Sequence, residues 1–371
     1  MRSITLVVGT RPNFMKIAPI LRALQRHPDA FSPCLVHTDQ HYDWQMSEVF
    51  FRDLGLPEPD RHLGIGSGSQ AVQTAKVMIA FEELLIEQRP DLVLVVGDVT
   101  STLACALCAA KLHVPVAHVE AGLRSSDRTM PEEINRIVTD AVSDLLFTTS
   151  AEADANLMRE GYPPDKVHRV GNVMIDSLFH ALTAADRSPI LSTLGVQPGE
   201  YALVTLHRVS NVDYPETLRG ILSALQKIQE RIALVFPIHP RTRKALEIFG
   251  LQNQIAAMPK LILTDPVGYF DSIKLQKEAR LVITDSAGLQ EETTVLGIPC
   301  LTVRENTERP ETVSVGTSTL VGTNPQMIVR EALRILEGSH KQGRIPDLWD
   351  GHAAERIVEI LKQGSGVRGE G

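Results

Sequence analysis

Between His118 and Arg136 the sequence reads HVEAGLRSSDRTMPEEINR, which places Glu120, Arg124, Arg128, Glu132, Glu133 and Arg136 within seventeen residues. Carboxylates can take and return protons, and guanidinium groups pair with carboxylates or phosphates. The apolar run Val114 to Val119 just before them predicts a buried strand. Pro131 predicts the start of a helix over about Glu132 to Val142, because the N–H that proline lacks would be unpaired in a first turn anyway. The charges therefore gather near the carboxyl end of a strand, where parallel α/β sheets bind ligands. A solvated, salt-bridged connection would carry the same charges, and on charge content alone the two readings stand level.

Further polar residues fall at equivalent places. Ser3 to Val8 predicts a strand, followed by Gly9-Thr10-Arg11-Pro12-Asn13 and a helix from about Phe14 to Arg26. Arg11 and Lys16 stand at and just inside that helix start, where free N–H groups and the helix dipole favour an anion. The turn is neither a full G-x-G-x-x-G nor a P-loop. Gln40 and His41 follow a second strand, Phe31 to His37. Asp98 follows Asp91 to Val96, whose continuous hydrophobicity marks a parallel strand covered on both faces. Capping the next helix is the plainer role for Asp98.

A second α/β series begins at Tyr201 to Thr205, with His207 after it and His239 after the strand Ala233 to Ile238. Leu281 to Thr284 leads into Asp285-Ser286-Ala287-Gly288 and a helix carrying Glu292. Small residues at a helix start suit an anion or sugar hydroxyls, and Glu292 is placed to accept from a ribose.

These strand ends need a scaffold. The chain has 371 residues, which predicts two domains. The expected architecture is α/β, with two Rossmann-like domains facing across a cleft and a C-terminal helix packing back on the first. The expected boundaries are 1–171, 172–352 and 353–371. A net charge of −8 argues against general nucleic-acid binding. Four cysteines without a disulfide framework fit a reducing cytoplasm. Cys105 and Cys108 form a C-x-x-C inside an alanine-rich helical run and read as buried small hydrophobes. No signal peptide or membrane span is expected.

Taken together and in order, the motifs GTRPNFMK (9–16), QH (40–41), GDVTST (97–102), HVEAGLRS (118–125), MPEEINR (130–136), LHR (206–208), ITDSAGLQEE (283–292) and ENTERPE (305–311) resemble the non-hydrolysing UDP-N-acetylglucosamine 2-epimerase family. The resemblance implies a GT-B-like fold, a homodimer, use of neither metal nor NAD, and interconversion of UDP-GlcNAc and UDP-ManNAc for surface polysaccharides. It implies Asp98, Glu120, Glu132 and His207 as the catalytic group. Around the nucleotide and diphosphate it implies Arg11, Lys16, Arg136, Ser286, Gly288, Glu292 and Arg309, and Gln40, His41, His239 and Ala287 are further substrate-binding candidates.

The family route eliminates UDP to leave a glycal and then re-adds it, because a C2 proton with no neighbouring carbonyl is not acidic by itself. Crowding of Asp98, Glu120 and Glu132 is expected to raise at least one carboxyl pKa. The segment between Leu123 and Pro131 is shorter than in the best-known bacterial members, and Ala287 replaces a glycine. The loop Gly64 to Ser69 lacks the arginine those members use at an allosteric substrate site. A modified UDP-sugar such as a diacetamido-uronic acid, hydrolytic release of ManNAc, and glycosyl transfer to an acceptor remain alternatives.

Overall fold

The computed structural model describes residues 1–39 and 53–364, and of Arg11 the backbone only. It divides into two compact units, Met1–Phe179 with Asp347–Gly371, and His180–Pro346.

The strands of the first unit are β1 (Arg2–Val8), β2 (Phe31–His37), β3 (Arg61–His62), β4 (Leu92–Val96), β5 (Val116–Ala121), β6 (Leu145–Thr148) and β7 (Val167–Arg169). They form one sheet in the order β3-β2-β1-β4-β5-β6-β7, parallel throughout. Its main helices are α1 (Arg11–Gln25), α2 (Gln70–Gln88), α3 (Thr100–Lys111), α4 (Pro131–Val142), α5 (Ala151–Arg159) and α6 (Val173–Asp186), the last carrying the chain into the second unit. Every residue of β4 is buried, as its unbroken apolar run requires. β5 runs further than the apolar run Val114 to Val119 suggests, so Glu120 lies within the strand.

The second unit repeats the plan with β8 (Tyr201–Thr205), β9 (Ala233–Pro237), β10 (Leu261–Thr264), β11 (Leu281–Thr284), β12 (Cys300–Thr302) and β13 (Ser318–Leu320). Their order is β10-β9-β8-β11-β12-β13, again parallel. Its principal helices are α7 (Pro215–Ile228), α8 (Pro240–Ile248), α9 (Tyr269–Lys277), α10 (Ala287–Leu296), α11 (Pro310–Ser314) and α12 (Pro325–Leu336). α7 buries Leu218, Ile221, Leu222 and Leu225 at helical spacing against one face of the sheet.

The chain then returns to the first unit with α13 (Ala353–Lys362), which packs on α1. Ala353, Ala354, Ile357, Val358 and Leu361 are its buried stripe. Arg2 donates to the carbonyl of Leu361 at 3.0 Å. Trp349, just before α13, is buried and donates to the carbonyl of Thr149 at 3.1 Å. Among the described residues no helix is long and apolar enough to cross a membrane.

In each sheet the strand order reverses once, between β1 and β4 and between β8 and β11. At such a switch point the loops leave the carboxyl edge in opposite directions and open a crevice for ligands.

Candidate functional site

In the first unit the switch point brings together the turns after β1, β4 and β5. Asn13 accepts from the backbone N–H and hydroxyl of Thr10 at 3.1 and 2.9 Å. Its amide donates to the carbonyl of Val96 at 2.9 Å, tying the start of α1 to the end of β4. One turn further along α1, Lys16 forms a buried ion pair with Glu120. Glu120 has φ +71°, in the left-handed region, and the register of β5 with β6 slips between Val119 and Ala121. A bulge of this kind re-aims one side chain at a strand's end, and the left-handed backbone costs about 1–3 kcal/mol. Gly97 completes the turn with φ +69°, and a Cβ there would lie 2.8 Å from the Lys16 ammonium.

Asp98 is half-buried and is not the N-cap residue of α3. The N-cap of α3 is Val99, without a side-chain bond. Asp98 instead accepts from Nε of Arg136 at 2.9 Å. Arg136 is held in turn by Glu133 at 2.6 Å, both side chains buried. Glu133 also accepts from the backbone N–H groups of Ser125 and Ser126 at 2.8 and 3.0 Å, and so organises the shortened segment before α4. Glu132, its neighbour, is exposed on the first turn of α4. Asp98 and Glu120 are thus each matched to a cation. Burial acts on another carboxyl of this unit. Asp176 is pushed up to about 6 while accepting from the N–H groups of Ala353 and Ala354.

A second buried network underlies these turns. The two ring nitrogens of His118 meet Asp140 Oδ1 at 2.6 Å and the carbonyl of Gly97 at 2.8 Å. Asp140 Oδ2 accepts from Gly122 N–H at 3.1 Å and pairs with Arg124 at 2.7 Å. Burial pushes Asp140 up, but His118 and Arg124 outweigh it and hold the carboxyl below its ordinary range. The same side chains therefore fix the Gly97 turn, next to Asp98, and the Gly122 turn, next to Glu120.

In the second unit the equivalent switch point is built on Asp285, which is fully buried. It accepts from the backbone N–H groups of His207 and Arg208, each at 2.9 Å, and from Asn211 at 3.0 Å. Its Oδ1 lies 2.8 Å from His207 Nδ1. Burial pushes Asp285 up, yet the His207 contact and these N–H donors hold it below the usual carboxylate range. His207 remains two-fifths exposed. His239, exposed at the N-cap of α8, has its ring centroid 5.5 Å from that of His207.

Ser286 is the N-cap of α10, and Ser286, Ala287 and Gly288 are half-buried at its start. The backbone N–H groups of a first helical turn have no partner within the helix and suit an anion. Glu292 is buried rather than solvated. It accepts from Tyr269 at 3.1 Å and Gln276 at 2.7 Å, and burial pushes it up to about 7. Arg309 is buried against Glu291 at 2.5 Å.

Gln40 and His41 lie outside the described residues, as does the side chain of Arg11. The first unit thus gathers Lys16, Asp98, Glu120 and Arg136, with Glu132 on the same helix as Arg136. The second gathers His207 and His239 at one end of its sheet, with Ser286, Ala287, Gly288, Glu292 and Arg309 around α10. Glu133, His118, Asp140 and Asp285 support these side chains from beneath. The signal in the sequence that could have found Asp140 is its place on α4 one turn after Arg136, on the face that turns inward.

The family model described as UDP-N-acetylglucosamine 2-epimerase matches residues 22–362. A UDP-N-acetylglucosamine 2-epimerase of Methanocaldococcus jannaschii is 42% identical over 97% of this chain and 99% of its own length. A UDP-2,3-diacetamido-2,3-dideoxy-D-glucuronate 2-epimerase of Pseudomonas aeruginosa is 44% identical over 96% of this chain and 98% of its own. The crystal structure of the Methanocaldococcus jannaschii enzyme in complex with UDP-GlcNAc and UDP superposes with a TM-score of 0.90, covering 98% of this chain and all of that one. With the family model matching most of the chain and these relatives matched over nearly their whole length, the chain belongs to the UDP-N-acetylglucosamine 2-epimerase family.

Proposed function

We propose that this chain reversibly epimerises UDP-GlcNAc to UDP-ManNAc at C2, by eliminating UDP and adding it back to a glycal. The observation that carries this reading is the set of carboxylates and cations at the switch point of the first unit, in a chain whose relatives are 2-epimerases over nearly their whole length. As the anomeric C1–O bond breaks, charge builds on the departing diphosphate, and an oxocarbenium-like C1 makes the C2 proton labile. One carboxylate removes that proton, leaving the glycal and UDP. Protonation of C2 from the opposite face and attack of UDP on C1 then give the epimer, so atoms and charge balance in both directions.

Asp98, Glu120 and Glu132 supply the acid and the base. Arg11, Lys16, Arg136, Arg309 and the turn Ser286-Ala287-Gly288 serve the nucleotide and its diphosphate. His207, oriented by Asp285, donates to the leaving phosphate, and His239 lies beside it. Glu292 accepts from the ribose through the lone pairs that Tyr269 and Gln276 leave. The product would serve surface polysaccharide synthesis. The exposed Val72, Ile79 and Ile86, at seven-residue spacing on α2, support the homodimer that the resemblance implies.

A second reading is favoured by the Pseudomonas aeruginosa relative and by the short segment before Pro131. In that reading the same chemistry acts on a UDP-diacetamido-uronic acid. Proton NMR in D2O, with each UDP-sugar in turn, tests both. The first reading expects UDP-ManNAc carrying deuterium at C2, with little lasting free UDP. Turnover of the diacetamido sugar alone would select the second. ManNAc with stoichiometric UDP would move the chain to hydrolytic chemistry.

A further inference from the structure

Outside the residues assigned to the reaction, β2 and β3 bring together a second group able to bind a ligand. His37 closes β2, Asp39 follows two residues later, and His62 lies on β3, which pairs with the end of β2. One ligand-type atom from each residue lies within 4.8 Å of the others. Asp39 Oδ1 is 2.5 Å from His37 Nδ1 and 3.0 Å from His62 Nδ1, so both rings point at one carboxylate oxygen.

The surroundings fix this arrangement. His37 is buried and stacks on Phe14, with ring centroids 5.3 Å apart and planes at 23°. Asp39 has φ +54°, which turns its carboxylate back toward the strand it has just left. Its other oxygen, Oδ2, accepts from Gly64 N–H at 2.9 Å, which leaves Oδ1 to the rings. Such outer contacts orient the first ligands in metal sites.

We propose that His37, Asp39 and His62 form a binding site for a divalent transition-metal ion, separate from the epimerisation chemistry. Two imidazole nitrogens and one carboxylate oxygen are a set that zinc accepts, with water in the fourth position. Ligand bonds of about 2.0–2.2 Å in a tetrahedron put neighbouring donors roughly 3.3 Å apart. The two spacings to Asp39 Oδ1 therefore have to open by about 1 Å or less, and the Asp39 N–H that donates to His37 Nδ1 at 2.9 Å has to give way to the ion. His62, two-fifths exposed on a strand of two residues, is the ligand able to make that movement. A set rich in nitrogen selects Zn2+, Co2+ or Ni2+ over Mg2+ and Ca2+. Bound there, the ion links the end of β2 to β3 across the edge of the sheet.

The test is calorimetric titration of Zn2+ into the full-length, tag-free protein after treatment with a chelator, followed by the visible spectrum of the Co2+ form. One equivalent of Zn2+ is expected, with the absorption of four-coordinate Co2+ and no binding of Mg2+ at the same concentration. His62→Gln, at an exposed position where circular dichroism will report an intact fold, should weaken Zn2+ binding at least about tenfold, and Asp39→Asn should do the same. No saturable Zn2+ binding by the wild-type chain would overturn the proposal and leave a hydrogen-bonded triad. Binding unchanged in both variants would overturn it too, placing the ion elsewhere, for example on Cys34. Neither readout depends on turnover, so the proposal stands or falls apart from the epimerase reading.

Discussion

Lys16 and Glu120, both in the proposed site, form a buried ion pair and depend on each other. Lys16→Met leaves a carboxylate buried without its cation, and should cost about 3–5 kcal/mol in a urea unfolding series. Glu120→Gln keeps a hydrogen-bond acceptor for the ammonium. It should cost less stability while lowering kcat by roughly 10²–10⁴-fold.

Glu292 makes a different prediction. Its ordinary value of 4.5 rises to about 7 through burial. The native chain therefore holds a proton there that the unfolded chain has lost over that interval. The contribution is fully present below pH 4.5, falls as pH rises to 7, and amounts to about 3 kcal/mol. Glu292→Gln should remove this share of the decline in a stability–pH profile, and an unchanged slope would show that the group does not titrate there. In the sequence Asp98 and Glu120 stand out at the ends of apolar runs, and Lys16 just inside a helix start. The partners of Asp140 and Asp285 were not legible, since a buried carboxylate reads like a surface one until its neighbours are known.

At the level of elements, the strands were legible where they are buried on both faces, as in β4. β3 and β13 were not, because two or three residues carry no periodicity. α4 shows another limit. Its inward face carries Glu133, Asn135, Arg136, Thr139 and Asp140, so amphipathic patterning points away from the face that does the positioning. The turn after β5 is equally specific. Gly122 has φ +78°, and a Cβ there would lie 2.5 Å from the carbonyl oxygen of Ala153 on α5. Gly122→Ala should therefore destabilise by about 2–4 kcal/mol, combining backbone strain with a clash against main chain. Thermal unfolding would measure it, and a shift of less than a degree would mean that α5 yields more easily than its packing suggests.

For the whole molecule, length and repeated strand–helix alternation made two α/β units legible, and the shared switch-point plan explains why polar residues gather at strand ends in both. Association is the prediction that belongs at this scale. Sedimentation should find a dimer, and Ile79→Glu, which sets a charge in the middle of the exposed stripe on α2, should shift it to monomer; a persistent dimer would place the interface on another surface. The order in which the first unit is assembled has a further consequence. Its sheet is complete by Arg169, but Trp349 and α13 arrive only after the whole of the second unit. At about 5–20 residues per second on a ribosome, that is a delay of roughly ten to forty seconds. Throughout it, the surface of α1 that α13 will cover stays bare on the nascent chain, open to a chaperone or to the wrong neighbour.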